Sequence, residues 1–279
     1  TDTYNPATGR FLLQNSPEAR NAFLRKYEYA NTDWFKTLFR PSLTQNHTLS
    51  LSGGGENTTI YSSLGFFVDP GWTIADRVHR ITGNIKTTYD LSSKVKIGIL
   101  AQGAIRNQKA PGTFSRSSNQ VTGEYERDFD INPFSYALNT TRALRPYDDE
   151  GNYDYYRMNY APMNILKELK NNYIDLKMME YKLQSDLEIK FTPELKYKFL
   201  GSVRYAQSTQ EHTITEGSNV VGAYRANDNM IIGERNPFLY RNPDDPSALP
   251  QVVLPNGGIY KLEQNNLQSY YLRNALEYN

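Results

Sequence analysis

The run MEYKLQSDLEIKFTPELKYKFLGSVRY, from Met179 to Tyr205, alternates between apolar and polar residues on both sides of a short connection at Thr192 to Leu195. Successive side chains of a β-strand point to opposite faces, so the alternation predicts two strands with one apolar and one polar face each. Each predicted strand is about twice the usual length. The run therefore predicts a long antiparallel hairpin.

The same pattern recurs upstream. A second long hairpin is predicted from Ile81 to Ile105, with its turn at Ser92 and Ser93. Shorter alternating segments lie at His47 to Ser52, Thr58 to Val68 and Leu267 to Tyr278. We therefore predict an all-β fold with about seven antiparallel up-and-down strands.

The connections between these strands are alternately short and long. Tight turns are predicted at Gly53 to Asn57, Asp90 to Lys94 and Thr192 to Leu195, whereas residues 107–172 and 209–266 form large loops. Transmembrane β-barrels have short turns at one rim and long extracellular loops at the other, with apolar residues on lipid and polar residues in the lumen. A soluble sandwich or lipocalin-like barrel also buries one face of each strand and stays the alternative. Strand length and loop asymmetry favour part of a large transmembrane barrel.

The pattern divides the chain into two regions. Residues 46–279 form the partial barrel, and residues 1–45 form a lead-in near the barrel start. Ser16, Pro17 and Glu18 predict a capped helix start within that lead-in. A second short helix is predicted from Pro162 to Leu169, inside the first large loop.

Composition narrows the class of protein. The mean hydropathy is -0.67 and no apolar run reaches the length of a membrane-spanning helix. Several of the 22 tyrosines lie at predicted strand ends, where a barrel has its aromatic girdle. The net charge is +1 and the basic residues are not clustered, so nucleic acid is not an expected partner. Cysteine is absent, which excludes disulfides and thiolate metal sites.

The sequence does not predict an enzyme. We find no G-x-S-x-G, H-E-x-x-H or G-x-x-x-x-G-K-[ST] motif, and the three histidines lie on separate segments. The acidic segment from Asp148 to Asp154 offers oxygen ligands, but its Gly151 does not have the spacing of a calcium loop. A solvated turn is the favoured interpretation, and no cofactor is expected.

Several segments carry a family resemblance, and they occur in the right order. They are Asn31 to Phe35, Phe39 with Arg40, Thr44 to Gly54, Tyr61 to Phe66, Asn132 to Leu138, Pro146 to Tyr153 and Asn164 to Leu166. The first four resemble the start of the barrel in SusC/RagA-type TonB-linked outer-membrane transporters of Bacteroidetes. The later ones resemble the first large loop of that family.

The resemblance implies a plugged, many-stranded barrel that imports oligosaccharides or peptides across the outer membrane of a Gram-negative bacterium. The family implies three partners: outer-membrane lipid, the TonB system that supplies energy, and a SusD-like surface lipoprotein that acts as a lid. No plug domain is recognised in these 279 residues, so contact with TonB would run through a plug region outside this chain. The chain itself would supply wall and loops.

Both large loops are rich in Tyr and Arg, the residues that anchor interfaces, and we expect them outside the cell against the lid. The candidate ligand or lid contacts are Tyr147, Tyr153, Tyr155, Tyr156, Tyr160, Arg157, Phe134 and Phe238. Flat apolar rings beside charges suit sugars and also peptides, and we favour a glycan slightly. The alternative function is a soluble all-β binding or adhesion module without a role in transport.

Overall fold

The computed structural model describes residues 16–118 and 125–278. The helices are α1 (Pro17–Glu28), α2 (Trp34–Leu38), α3 (Pro133–Asn139), α4 (Ile165–Asn171), α5 (Asn219–Arg225) and α6 (Met230–Arg235). The strands are β1 (Gln45–Gly54), β2 (Thr58–Asp69), β3 (Arg77–Asp90), β4 (Val95–Pro111), β5 (Thr113–Ser118), β6 (Tyr125–Asp130), β7 (Tyr156–Met158), β8 (Ala161–Met163), β9 (Asn172–Lys190), β10 (Leu195–Ile214) and β11 (Ile259–Tyr278).

Seven strands form one sheet in the order β1-β2-β3-β4-β9-β10-β11, and each neighbouring pair is antiparallel. The predicted all-β, antiparallel, up-and-down fold class is therefore confirmed. Tight turns connect β1 to β2, β3 to β4 and β9 to β10 at one end of the strands, which we call the turn end. The connections 70–76, 112–171 and 215–258 lie at the opposite end of the strands, which we call the loop end.

The strand register brings the apolar positions of neighbouring strands together. Val203 in β10 pairs with Leu183 in β9, which pairs in turn with Ala101 in β4, and Ala101 pairs with Ile85 in β3. These residues define the apolar face, on which Leu183 is 57% exposed and Ile85 is 53% exposed. A register shift of one residue would turn all of them to the other face. The apolar residues predicted from the alternation in each strand thus form one continuous face across neighbouring strands.

The opposite side of the sheet is the polar face, and its charged residues pair across strands. Arg204 Nε lies 2.8 Å from Glu180 Oε1, and Lys198 Nζ lies 2.7 Å from Glu277 Oε2. Near the turn end this face forms a groove of about 580 Å³ that contains Lys86 among its lining residues. Leu100 and Leu200 also line this groove, so the polar face carries charged side chains together with a few apolar ones in this region.

The hydrophobic cores lie at the loop end and not along the sheet. The first core comprises Trp34, Leu38, Ile131, Tyr136, Met163, Ile165, Leu166 and Leu169. The second comprises Phe129, Ala161, Ile214, Val220, Val221 and Ala223. Among the described residues, no helix combines the length and the apolar character needed to cross a membrane.

Residues 16–44, the described part of the predicted lead-in 1–45 that precedes β1, pack against the first large loop. β1 runs from the loop end toward the turn end, so the segment before it lies beside the loops. The indole Nε1 of Trp34 donates to the carbonyl of Thr141 at 3.0 Å, and the Thr32 amide donates to the carbonyl of Arg142 at 2.8 Å. The lead-in is therefore structurally part of the loop end.

Helix α1 begins as the sequence predicts, because the Ser16 hydroxyl accepts from the Ala19 amide and Pro17 occupies the first turn. The prediction of a helix from Pro162 was wrong at its start. Residues Ala161–Met163 form β8, and Asn164 then caps α4 by accepting from the Leu166 amide at 3.0 Å. The Asn cap, which the apolar pattern does not reveal, sets the true helix start.

Four strands also extend further into the connections than the apolar pattern indicates. β4 ends at Pro111, β9 begins at Asn172, β10 ends at Ile214 and β11 begins at Ile259. The added positions are mostly polar on both faces, so backbone pairing continues where the alternation has stopped. The large connections are consequently 112–171 and 215–258, compared with the expected 107–172 and 209–266.

Candidate functional site

Buried asparagines hold the loop end together. Asn219 Nδ2 donates to the carbonyls of Met158 at 2.8 Å, Pro162 at 3.1 Å and Ala161 at 3.2 Å. Asn236, which is fully buried, donates through Nδ2 to two carbonyls at the end of α5. Buried backbone carbonyls need such partners, so these side chains fix the path of irregular segments.

A series of hydrogen bonds between buried side chains connects the two large loops beneath their surface. His212 Nε2 lies 2.7 Å from Asn172 Oδ1, and Asn172 Nδ2 donates to Glu168 at 3.4 Å. The other carboxylate oxygen of Glu168 accepts from the Asn219 amide at 2.7 Å. Burial raises the pKa of Glu168 to about 7, although these hydrogen bonds act in the opposite direction. This carboxyl group therefore changes charge near neutral pH.

The acidic segment of the first loop has a structural role. The Asp148 carboxylate accepts from the amides of Glu150 and Asn152, which closes a turn. Asp154 is buried and pairs with Lys26 Nζ at 3.0 Å and with Arg145 Nε at 3.4 Å, so it ties α1 to the loop. Among the described residues there is no group of three or more His, Cys, Asp or Glu side chains arranged for a metal ion.

Three of the predicted contact residues form one group on the first loop, which we call the tyrosine cluster: Tyr147, Tyr153 and Tyr155. The rings of Tyr147 and Tyr153 are stacked with centroids 5.7 Å apart, and Tyr155 meets Tyr153 edge-on at 6.5 Å. Lys170 Nζ donates to the Tyr153 hydroxyl at 2.6 Å, and Lys167 Nζ lies 5.1 Å from the Tyr155 ring centroid. The cluster therefore presents aromatic faces beside two ammonium groups.

The neighbouring predicted residues do not share that surface. The hydroxyl of Tyr156 lies 3.2 Å from that of Tyr136 in the first core, and burial raises the pKa of Tyr156. The Tyr160 hydroxyl donates to the carbonyl of Arg235 at 2.8 Å, which connects the two large loops. Arg157 is exposed on β7. Tyr156 and Tyr160 are thus held in contacts within the protein.

The two predicted phenylalanines lie in two further places. Phe134 packs edge-on against Phe35 at 6.0 Å and against Phe39 at 6.1 Å, next to a groove of about 580 Å³ at the loop end. Phe238 packs against the second core, with its ring 5.0 Å from that of Phe129. The predicted set is therefore spread over several surfaces and does not form one site.

Sequence reasoning missed the lysines of the tyrosine cluster. Lys167 and Lys170 are three positions apart on α4 and therefore share a helix face. The predicted helix in this segment was the available signal, since its polar face had to point away from the core. The aromatic partners of Phe134 gave no such signal, because they lie about a hundred residues away in the sequence.

A long antiparallel sheet with one exposed apolar face, one polar face and its cores gathered in loops at one end is typical of the wall of a large transmembrane β-barrel. No family model matches the sequence. Two curated relatives from Formosa agariphila do: TonB-dependent receptor P3 is 25% identical over 107 residues, and TonB-dependent receptor P26 is 31% identical over 70 residues. The matched regions cover 38% and 25% of this chain, but 11% and 7% of those relatives.

Solved structures show the same architecture. The chain matches the RagAB peptide importer in its closed-closed state with a TM-score of 0.51 and 21% identity, over 67% of this chain and 20% of that one. It matches the RagAB peptide transporter with a TM-score of 0.50 and 22% identity, over 66% and 20% of the two chains. The chain thus resembles about one fifth of a SusC/RagA-like TonB-dependent transporter, and the predicted resemblance is confirmed.

Proposed function

We propose that the chain is a wall and loop segment of a TonB-dependent importer in the outer membrane of a Gram-negative bacterium. The importer would take up oligosaccharides or peptides together with a SusD-like lid lipoprotein. The observation that carries this proposal is the exposed apolar face, since the buried hydrophobic residues are gathered at the loop end. A soluble sandwich would cover such a face with protein, whereas a barrel covers it with lipid.

The dimensions of the apolar face support contact with lipid. On β9 the apolar positions run from Met179 to Ile189, a span of about 33 Å at about 3.3 Å per residue. A strand tilted by about 40° crosses about 25 Å of membrane with that span, which is the height of the apolar band of an outer-membrane barrel. The turn end would then face the periplasm and the loop end the outside of the cell.

The second large loop offers a surface for the lid. Its exposed apolar residues include Met230, Ile231, Leu249 and Val253. Contiguous exposed apolar patches mark sites of protein contact, and we propose that these four side chains contribute to one. We propose that this surface, together with the first large loop, meets the lid lipoprotein.

The tyrosine cluster is the proposed contact for cargo. Its stacked rings suit the apolar faces of sugars and aromatic or aliphatic residues of peptides, and its two lysines suit hydroxyl or carboxylate oxygens. The RagAB structures are those of a peptide importer, and at 21 to 22% identity they speak for the fold alone. We therefore keep both oligosaccharides and peptides as cargo classes.

Uptake by cells that carry the full-length protein tests this function. We expect import of an oligosaccharide or peptide to be lost with the gene and to fall when Tyr147, Tyr153 and Tyr155 are all changed to Ala. Tyr29→Ala is the control, because Tyr29 is 88% exposed beside α1 and lies outside the cluster. If the triple variant reaches normal surface levels and its import is unchanged, the tyrosine cluster has a structural role and does not contact cargo. A full-length protein that stays in solution without detergent would favour the soluble binding module.

A further inference from the structure

Two arginines lie directly opposite each other on the polar face. Arg80 of β3 pairs in register with Arg106 of β4, a short distance from the loop end. Like charges at directly opposed positions destabilise an antiparallel pair. Two other like-charge pairs lie directly opposed on this face, Lys182 with Arg204 and Lys190 with Lys196, and Arg204 is also paired with Glu180 at 2.8 Å. Of these three pairs, the arginine pair lies nearest the loop end.

Neither guanidinium has an ion-pair partner among the residues that the structure describes. Arg106 Nη2 donates to Gln108 Oε1 at 2.7 Å, a neutral acceptor, and the Arg80 guanidinium lies 5.1 Å from the Phe67 ring centroid. The neighbouring carboxylate of Glu180 is engaged by Arg204 at 2.8 Å. Two positive charges thus lie at directly opposed positions, and no carboxylate of the described residues is ion-paired with either.

The pair borders a groove that can hold part of a ligand. The groove has a volume of about 330 Å³ and is lined by Arg80, Arg106, Glu180 and several uncharged residues, among them Met178, Ala104 and Ala206. This volume is at the lower end of the range for small-molecule sites, which starts at about 300 Å³. Because Glu180 is paired with Arg204 at 2.8 Å, the groove offers two guanidinium groups beside apolar side chains, which suits an anionic group attached to an apolar ring or chain.

We propose that Arg80 and Arg106 form a carboxylate-binding subsite that selects cargo with an acidic group. The guanidinium fork matches a planar carboxylate through paired hydrogen bonds, and two adjacent forks can hold one carboxylate from both sides. The carboxylate belongs either to an acidic sugar unit or to a peptide. The inference rests on the proposed function, because the polar face must line the path of the cargo.

The test measures binding to the purified full-length protein in detergent by calorimetry, with pairs of ligands that differ only in one charge. One pair is an oligouronide and its methyl ester, and the other is a peptide and its C-terminal amide. Charge-assisted hydrogen bonds contribute about 1.5 to 3 kcal/mol, so we expect the acid form of one pair to bind roughly 10- to 100-fold more tightly. The pair that shows this preference identifies the source of the carboxylate.

Substitutions then locate the preference. Arg80→Gln with Arg106→Gln should reduce it to near unity while the affinity for the neutral ligand stays the same. Lys86→Gln is the matched control, because it removes a positive charge from the polar face of β3 nearer the turn end. An equal loss of preference in Lys86→Gln and Arg106→Gln would show that the acid form is attracted by the overall positive charge of the polar face, and it would overturn the subsite.

The subsite and the importer can fail separately. Equal binding of acid and neutral forms by the unmodified protein, or binding of neither, overturns the subsite. Uptake of a neutral cargo by cells would in that case leave the importer intact. A preference for the acid form in binding, combined with no uptake of any cargo, would instead uphold the subsite and remove the import function.

Discussion

The assignment of the two faces can be tested with one strand and one new residue. Leu183 and Gln184 are neighbours on β9, so they lie at almost the same depth but on opposite faces of the sheet. Leu183 is near the middle of the apolar span from Met179 to Ile189 and is 57% exposed. Gln184 donates to both carboxylate oxygens of Asp186 at 3.3 Å on the polar face. Changing each residue to Lys places the same charge in lipid or in the lumen.

The expected costs differ clearly. A lysine on the lipid face costs about 2 to 4 kcal/mol at the membrane midplane, because its charge leaves water for hydrocarbon. A lysine at position 184 would meet the carboxylate of Asp186 in a hydrated setting, so its cost should stay below about 1 kcal/mol. At about 1.4 kcal/mol per factor of ten, a difference of at least about 1 kcal/mol corresponds to about fivefold or more in the folding equilibrium of the two variants.

The assay is urea unfolding of the full-length protein in lipid vesicles, with the amount of folded protein in outer-membrane fractions as a second measurement. Leu183→Lys should lower both the free energy of unfolding and the membrane level, and Gln184→Lys should leave both close to their original values. Equal losses in the two variants, or a larger loss for Gln184→Lys, would refute the assignment. In that case the apolar face would have to contact protein.

Three further predictions concern the loop end. Burial raises the pKa of Glu168 from 4.5 to about 7, so the loop end should lose stability as the pH rises through this range. Thermal unfolding at pH 5 and at pH 8 measures this loss, and Glu168→Gln should abolish it. Asp154→Asn should destabilise the packing of α1 by about 3 to 5 kcal/mol, since it leaves the Lys26 ammonium without its carboxylate and Arg145 with only the exposed Asp149. Limited proteolysis after α1 measures this, and Asp149→Asn, at an exposed partner of Arg145, should cost less than about 1 kcal/mol. Changing Met230 and Ile231 to Asp should weaken co-purification of the lid lipoprotein without lowering the membrane level.

The sheet could be predicted from the sequence because its environment leaves a simple pattern. One face of each strand is apolar and the other polar, so the alternation around Leu183 and Ile85 identifies both the strands and their faces. The tight turns then fix which strands are neighbours. The strand ends escaped prediction, since Asn172 and Ile214 pair through their backbones in regions where the alternation has ended.

The loop end could not be predicted in the same way, because its contacts join residues that are far apart in the sequence. The Trp34 ring meets Tyr136 edge-on at 5.1 Å, and Glu168 accepts from the amide of Asn219. Tyr155 and Tyr156 look equivalent in sequence, yet only Tyr155 belongs to the tyrosine cluster, while Tyr156 packs on the first core. Tyr156 is the first residue of β7, and Asn164 Nδ2 donates to the carbonyl of the preceding Asp154 at 2.8 Å, a contact between residues ten positions apart.

The separation of cores and sheet has a consequence for how this protein would work. The loops carry their own buried residues and polar network, so the tyrosine cluster stands on a scaffold whose geometry depends little on lipid. The sheet has no buried core of comparable size among the described residues, so its apolar face depends on its surroundings for cover. The proposed contacts for the lid and the cargo could therefore change by substitution at the loop end while the wall keeps its fold. The arginine pair is the exception, because Arg80 and Arg106 place selectivity in the wall itself.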